Sequence, residues 1–304
     1  MTFMAFMKKF PTEEKVIQYF LKIRYPDGVC CNHCGSTKVY QEKKYPKSFH
    51  CNDCRNNFSP FKNTIFEKSS TDLRKWMYAI HLFLNGKKGI SAMQLQREIG
   101  VTYKTAWRML HQIRTAMGNA NNPEFINAIV EIDETYIGGK PRKRDDDDDK
   151  PAPPSKRGRG TDKTPVIGVV GREEKQVYAK VAMSNAKGQK LTAGQLMEVL
   201  RTVAKSDDCN VIITDEFRGY DPLSANNYVH LRIDHSKGYS DGDIHTNTME
   251  SFWATLKRGV YGTYHHISTK HMQKYVNEFC FRYNNRKVNM FDLVLKQSIL
   301  GQEN

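Results

Sequence analysis

Apolar positions along this chain run at helical spacing in the first third, alternate through the middle, and return to helical spacing near the end. Thr12 can cap a helix through about Ile23, in which Val16, Ile17, Phe20 and Leu21 form one stripe. Leu73 to Leu84 repeats the pattern with Trp76, Met77, Ile80 and Phe83 or Leu84. Ser91-Ala-Met-Gln94 is a capping-box pattern that opens a short helix to Glu98; Ile99-Gly-Val101 turns, and Thr102 caps a second helix to about Met117. Ile90, Leu95, Ile99, Val101, Ala106, Leu110 and Ile113 can close a small core, leaving Thr102, Tyr103, Lys104, Thr105 and Arg108 near the exposed start of the second helix. That is a helix-turn-helix pattern, and a plain helical hairpin between two domains is the competing reading.

Asn119-Ala-Asn-Asn-Pro123 breaks the helical run, and alternation follows. Ile126, Ala128, Val130 and Ile132 alternate in a strand expected to end at Asp133. Strands resume at Val166 to Val170 and at Val177 to Met183, a helix spans about Leu191 to Ala204, and the β-branched run from Asn210 ends in Asp215. A carboxylate-bearing helix with Glu250 comes next, then a helix from Thr269 to Tyr283 with Met272, Tyr275, Val276, Phe279, Cys280 and Tyr283 on a core stripe. The stretch 140–163, with its Asp145 to Asp149 run, prolines and Arg157-Gly-Arg-Gly160, has no apolar area to bury and is expected to be a flexible insertion. Three strands, a helix, a strand and an acid-bearing helix make the layout of a ribonuclease-H-like α/β domain. There the first and fourth strands lie side by side, so Asp133 and Asp215 are expected to be neighbours.

Two strands that each deliver an aspartate and a helix that delivers Glu250 suit hard divalent cations, which take oxygen ligands. Lys257 follows Glu250 by seven residues and so returns to nearly the same helical face, which Asn247 joins one turn earlier. Cys31-Asn-His-Cys34 and Cys51-Asn-Asp-Cys54 stand 16 residues apart, the spacing of a zinc ribbon whose two knuckles close one structural Cys₄ site. Cys30, Cys209 and Cys280 are scattered, which fits a reducing compartment better than a disulfide framework.

Charge adds a direction. Residues 1–125 hold 20 Lys+Arg against 9 Asp+Glu, whereas 126–304 hold 27 against 24, so the +14 net charge is concentrated at the front. The first third is therefore expected to bind a polyanion, with DNA the natural ligand, while the rest forms a globular body with an acidic centre. No run approaches the length of a membrane span, and the protein is expected to be intracellular, cytoplasmic or nucleoid-associated in a bacterium. The expected domains are 1–70, a zinc ribbon with a leading helix; 71–118, the helix-turn-helix; and 126–290, the ribonuclease-H-like core with its insertion at 140–163.

Tyr25-Pro-Asp-Gly28 with the cysteine pairs, Asp133-Glu-Thr-Tyr-Ile-Gly-Gly-Lys140, Gly158-Arg-Gly160, Thr214-Asp-Glu216, His245-Thr-Asn-Thr-Met-Glu-Ser-Phe-Trp253, Lys257-Arg-Gly259, Gly262-Thr-Tyr-His-His266 and Phe281-Arg-Tyr-Asn284 occur in that order. In this order they resemble the DDE insertion-sequence transposases of the zinc-ribbon group related to eukaryotic Merlin elements. The resemblance covers nearly the whole chain. It implies a core whose acidic triad, Asp133, Asp215 and Glu250, holds two Mg²⁺ or Mn²⁺ ions. It also implies a homodimer or higher multimer on transposon-end inverted repeats, and DNA strand cleavage followed by strand transfer to target DNA. Lys257 and Arg258 are then expected at DNA phosphate, and Lys104, Thr105 and Arg108 at the recognition surface. Some members of that group carry asparagine in place of the third acid, which keeps Asn247 open beside Glu250. The competing function is a domesticated DNA-binding regulator that no longer cuts; the intact acidic set argues against it.

Overall fold

The computed structural model describes residues 2–126, 128–138, 163–183, 191–205, 210–215, 218–226, 228–233 and 245–300. All but Lys163 of the expected insertion, and Cys209, lie outside them. The chain divides into two compact units, Met1–Ala120 with Lys287–Asn304, and Asn121–Arg286.

In the first unit, α1 (Phe3–Lys9) precedes α2 (Glu13–Arg24), whose Val16, Ile17 and Phe20 are buried as the stripe requires. Thr12 accepts the Lys15 N–H and so caps α2. Three short antiparallel strands follow, β1 (Val39–Gln41), β2 (Phe49–Cys51) and β3 (Asn57–Phe58), paired in that order. Helices α3 (Leu73–Asn85), α4 (Ala92–Ile99) and α5 (Tyr103–Asn119) then pack on one another. Ser91 and Thr102 cap α4 and α5 through their side chains, and Gly100 turns between them in the left-handed region at φ +61°.

The second unit holds β4 (Ile129–Ile137), β5 (Thr164–Gly171), β6 (Gln176–Val181), α6 (Ala193–Val203), β7 (Val211–Thr214), the short α7 (Pro222–Ala225) and β8 (Val229–Arg232). Then come α8 (Asn247–Gly259), which runs on into a π-helical turn over Val260–Tyr264, and α9 (Thr269–Asn284). The chain ends in the first unit as α10 (Met290–Leu300), whose Phe291, Val294, Leu295 and Ile299 are buried in a helix that packs on α2, α3 and α5.

The sheet order is β6-β5-β4-β7-β8. β6, β5 and β4 pair antiparallel, and β4, β7 and β8 pair parallel. Counted within the unit, that is three-two-one-four-five, the ribonuclease-H-like order, with its first and fourth strands adjacent. α6 covers one face through Leu196, Val199 and Leu200 on Val130, Ile132 and Ile167. α8 and α9 cover the other through Phe252, Trp253, Leu256 and Val276 with Val166, Val170 and Ala179. Burial on both faces explains the continuous apolar run of β5.

Two strand limits differ from the sequence expectation. β4 neither begins at Ile126, which is exposed, nor ends at Asp133. It continues to Ile137 because β5 supplies partners all along, from Asp133 opposite Gly168 to Ile137 opposite Thr164. β6 stops at Val181, leaving Met183 exposed.

Gly168 is required by close approach. A Cβ there would lie 2.3 Å from Met249 Cε and 2.6 Å from Trp253 Cη2, so only glycine lets α8 settle on the sheet beside Asp133. The methionine end can move, but the indole is held on its other side by the core. Gly168→Ala is expected to destabilise this unit by about 1–3 kcal/mol, the usual cost of overpacking, as measured by denaturant unfolding.

Candidate active site

The register of β4 on β7 builds the site. Ile129, Val130 and Glu131 pair with Val211, Ile212 and Ile213, so continuing by two residues sets Asp133 opposite Asp215, just past the end of β7 at Thr214. Asp133, Glu134 and Asp215 each offer a carboxylate oxygen, and those oxygens all lie within 4.8 Å of one another. Glu134 sits on the opposite face of β4 from Asp133, and its Oε2 accepts the hydroxyl of the buried Tyr220 at 2.8 Å. Burial and the surrounding carboxylates push the Tyr220 hydroxyl well above its usual range, so it stays a donor.

Asp133 Oδ1 accepts the Glu134 N–H at 2.8 Å, and Oδ2 accepts the Trp253 indole N–H at 3.1 Å. Burial, then the negative charge of Glu134 and Asp215, raises its carboxyl from 3.8 to about 7 against the opposing pull of those hydrogen bonds. Carboxylates crowded in this way are stabilised by a cation. The donor set is all oxygen, and the spacing suits a hard divalent ion with oxygens at about 2.1 Å on either side of it.

A cation bound there would compete with a proton for the same Asp133 oxygens. Below about pH 7 the affinity for Mn²⁺ is therefore expected to fall about tenfold per pH unit, and above that to level off, as read by titration calorimetry. Linkage gives the matching sign for stability. Because the folded carboxyl binds its proton more tightly than the unfolded one, its contribution is present below the ordinary value of 3.8 and is lost as pH rises through about 7.

α8 crosses the site on the Asp133 face. Its amino-terminal end is held by Glu131, a fully buried acid whose Oε2 accepts the Met249 N–H at 2.9 Å and whose Oε1 accepts Arg172 Nε at 2.6 Å. Glu250, Trp253 and Lys257 share one stripe of α8, with Trp253 in the middle bonded to Asp133. Glu250 is exposed, and its Oε1 lies 3.5 Å from Thr246 Oγ1, outside the three-carboxylate cluster. Asn247 is exposed on the first turn.

The cysteines of the first unit form a second metal-ligand set. Cys31 Sγ is 3.6 Å from Cys54 Sγ, Cys34 Sγ is 3.6 Å from Cys51 Sγ, and all four sulfurs lie within 4.8 Å of one another. Sulfurs at about 2.3 Å from a tetrahedral zinc stand about 3.8 Å apart, so the set fits that ion. The two knuckles repeat one geometry, with Cys31 N–H bonded to Ser36 O and Cys51 N–H to Asn56 O. Each places the residue after its second cysteine at positive φ, Gly35 at +73° and Arg55 at +57°. The Asn56 backbone N–H pulls the Cys54 thiol down to about 7, which favours the thiolate a metal needs.

Residues 126–284 match the ISXO2-like transposase domain family, and residues 11–57 match the transposase zinc-ribbon domain. An uncharacterized protein of transposable element ISH50 from Halobacterium salinarum is 32% identical over 287 residues, 91% of this chain and 92% of its own. The chain belongs to the ISXO2-like transposase family. A transposase-like protein of Haemophilus influenzae is 30% identical to this transposase over 106 residues, 35% of this chain and 84% of its own. Among solved structures, a pre-cleavage Mos1 transpososome aligns over 75% of this transposase and 79% of its own chain at 12% identity. The Mos1 strand transfer complex aligns over 75% and 78% at 14% identity, and both have a TM-score of 0.32. So loose a superposition carries no weight beside the strand order itself.

Elsewhere in the transposase, Lys104 is exposed on the first turn of α5, while Thr105 spends its hydroxyl and N–H on Thr102 Oγ1. The Arg108 guanidinium lies 5.8 Å over the Trp76 ring and is half-buried. Lys257 is half-buried, and the exposed Arg258 donates to Thr255 Oγ1 at 3.1 Å. Sequence reasoning missed Glu134, Tyr220 and Glu131. The available signals were a second acid directly after Asp133, and an acid among the buried alternating positions of a central strand. Among the described residues no helix is long and apolar enough to cross a membrane.

Proposed function

We propose that this transposase binds transposon-end DNA through residues 1–118 and cuts and rejoins it in the 126–290 core, using divalent cations held by Asp133, Asp215 and Glu250. The observation that supports this most is the meeting of Asp133 and Asp215 on adjacent parallel strands, with Glu134 beside them. Bound there, two Mg²⁺ or Mn²⁺ ions would activate a water or 3′-hydroxyl and stabilise the leaving oxygen of a phosphodiester. Trp253 fixes the rotamer of Asp133, and Tyr220 fixes Glu134, so the carboxylates are oriented before a cation arrives. Glu250, which lies outside the carboxylate cluster against Thr246, would turn in from α8 as the third acid when cations bind. A third anion offsets two divalent ions better than the neutral amide of Asn247. Lys257, one helical repeat on, and Arg258 contact phosphate next to the scissile bond.

In the first unit the four cysteines hold one structural zinc, and α4 and α5 act as a helix-turn-helix in which Lys104, Thr105 and Arg108 face DNA. A homodimer or higher multimer on paired ends, a cytoplasmic or nucleoid location, and kinship with eukaryotic Merlin elements complete the reading. A domesticated regulator that binds ends without cutting is the alternative; a complete carboxylate cluster is unneeded for that role.

The third ligand is tested by cleavage of labelled end DNA in Mg²⁺. Glu250→Gln is expected to abolish nicking and joining while leaving end binding intact, and Asn247→Ala to keep measurable cleavage. Normal cutting by Glu250→Gln with a dead Asn247→Ala would make the triad Asp133, Asp215 and Asn247.

A further inference from the structure

Glu131 stands two residues before Asp133 on the same face of β4, yet it is not among the clustered cation-binding carboxylates. Its carboxylate is fully buried, an arrangement that persists only when both oxygens are engaged. Both are. Oε2 accepts the Met249 N–H at 2.9 Å, an orphan donor of the first turn of α8 that nothing within the helix can satisfy. Oε1 accepts Arg172 Nε at 2.6 Å. The same guanidinium donates through Nη2 to the backbone oxygen of His245 at 2.5 Å and meets His245 Nδ1 at 2.9 Å. Arg172 follows β5 directly, so the end of one strand and the middle of another grip the residues on both sides of the α8 start. Thr246, the residue at the cap position, makes no side-chain cap of its own, so this carboxylate does the capping. The gripped Met249 N–H immediately precedes Glu250.

We propose that Glu131 and Arg172 are positioning residues that set the start of α8 so that Glu250 meets the cation site beside Asp133. The inference rests on Glu250 being the third ligand. A helix end held by one buried carboxylate and one forked guanidinium has its rotation and height fixed to within a fraction of an ångström. The backbone of the next residue inherits that placement, so the Glu250 side chain, now against Thr246, needs only a rotamer change to turn towards Asp133. Neither residue belongs to the carboxylate cluster; they act through the helix.

Mn²⁺ binding to the full chain, followed by titration calorimetry, separates positioning from charge. Arg172→Gln removes a positive charge near the site, so electrostatics alone predicts tighter Mn²⁺ binding, whereas loss of positioning predicts binding about tenfold weaker. The expected result is the weaker one, with no further weakening when Arg172→Gln is added to Glu250→Gln. Should Arg172→Gln lose its cooperative melting transition, Arg172→Lys keeps the charge and removes the fork, and weaker binding is again expected. If Glu250→Gln weakens Mn²⁺ binding but the folded arginine variant binds as well as the parent or better, the positioning role is overturned. If Glu250→Gln itself binds as the parent does, the ligand assignment fails, and the inference fails with it.

Discussion

Asp133→Asn is expected to lower metal-dependent strand cleavage at least about a thousandfold, roughly 4 kcal/mol of barrier, while making the cation-free protein more stable above pH 7. The two effects have one origin. Asp133 is partly buried against Glu134 and Asp215, and its carboxyl is raised to about 7, so its charged form is disfavoured until a cation arrives. Asparagine keeps nearly the same shape and can still accept the Trp253 N–H with its amide oxygen, losing the Glu134 N–H bond, a cost of about 1 kcal/mol that relief of the charge repulsion is expected to outweigh. It removes the charge that repels its neighbours and, with it, the charge that holds the ion. A catalytically dead variant with a higher melting temperature is the signature of a carboxylate kept for function at the expense of stability. Equal loss of activity and stability would instead mark Asp133 as a structural residue.

Removal of zinc is expected to unfold the amino-terminal ribbon while leaving the second unit folded. The buried core of the ribbon is Cys31, Phe49, Cys51 and Phe58, with Leu21, Val29, Val39 and Cys54 at its edge. Its strands are two or three residues long. So small a core cannot offset the entropy of ordering three strands and two loops, and a structural zinc contributes on the order of 10 kcal/mol in such modules. Metal analysis is expected to find about one zinc per chain, as one closed Cys₄ site requires. Cys51→Ser, at a fully buried ligand position, is expected to lose that zinc and the dispersed amide signals of 31–58 in NMR spectra. A zinc-free protein with an unchanged ribbon would contradict the assignment.

Fold and site were legible in the sequence where chemistry and periodicity coincide. Paired Cys-x-x-Cys spacing announces four convergent sulfurs because the knuckle itself sets their geometry. Asp133 and Asp215 were found because each closes an alternating or β-branched run. Their meeting followed from the strand order. Glu134 was not legible: period two sends it to the opposite face, and its carboxylate, held by the Tyr220 hydroxyl, nonetheless ends within 4.8 Å of those of Asp133 and Asp215. Glu131 was hidden by its setting, since a single acid in an apolar strand has no local partner, and Arg172 and Met249 are far away in sequence. Gly168 carries no signal of its own within the β5 run, because what requires a glycine there is α8, which is far away in sequence. β8 and α10 escaped for opposite reasons. β8 is only four residues long, and its alternating Val229 and Leu231 are exposed, so the alternation marks no buried face. α10 buries its apolar face in a unit that begins almost three hundred residues earlier.

If the acids gathered where β4 outruns β7 cut and join DNA, the purified protein, incubated with a labelled duplex carrying its element's terminal inverted repeat, target DNA and Mg²⁺, will show it when the strands are resolved on a denaturing gel. The expected result is nicking at the element's end followed by a joined product, both absent without divalent cation and absent with Asp215→Asn. Specific binding of the end with no nick in Mg²⁺ or Mn²⁺, or cutting that survives Asp215→Asn, would contradict it.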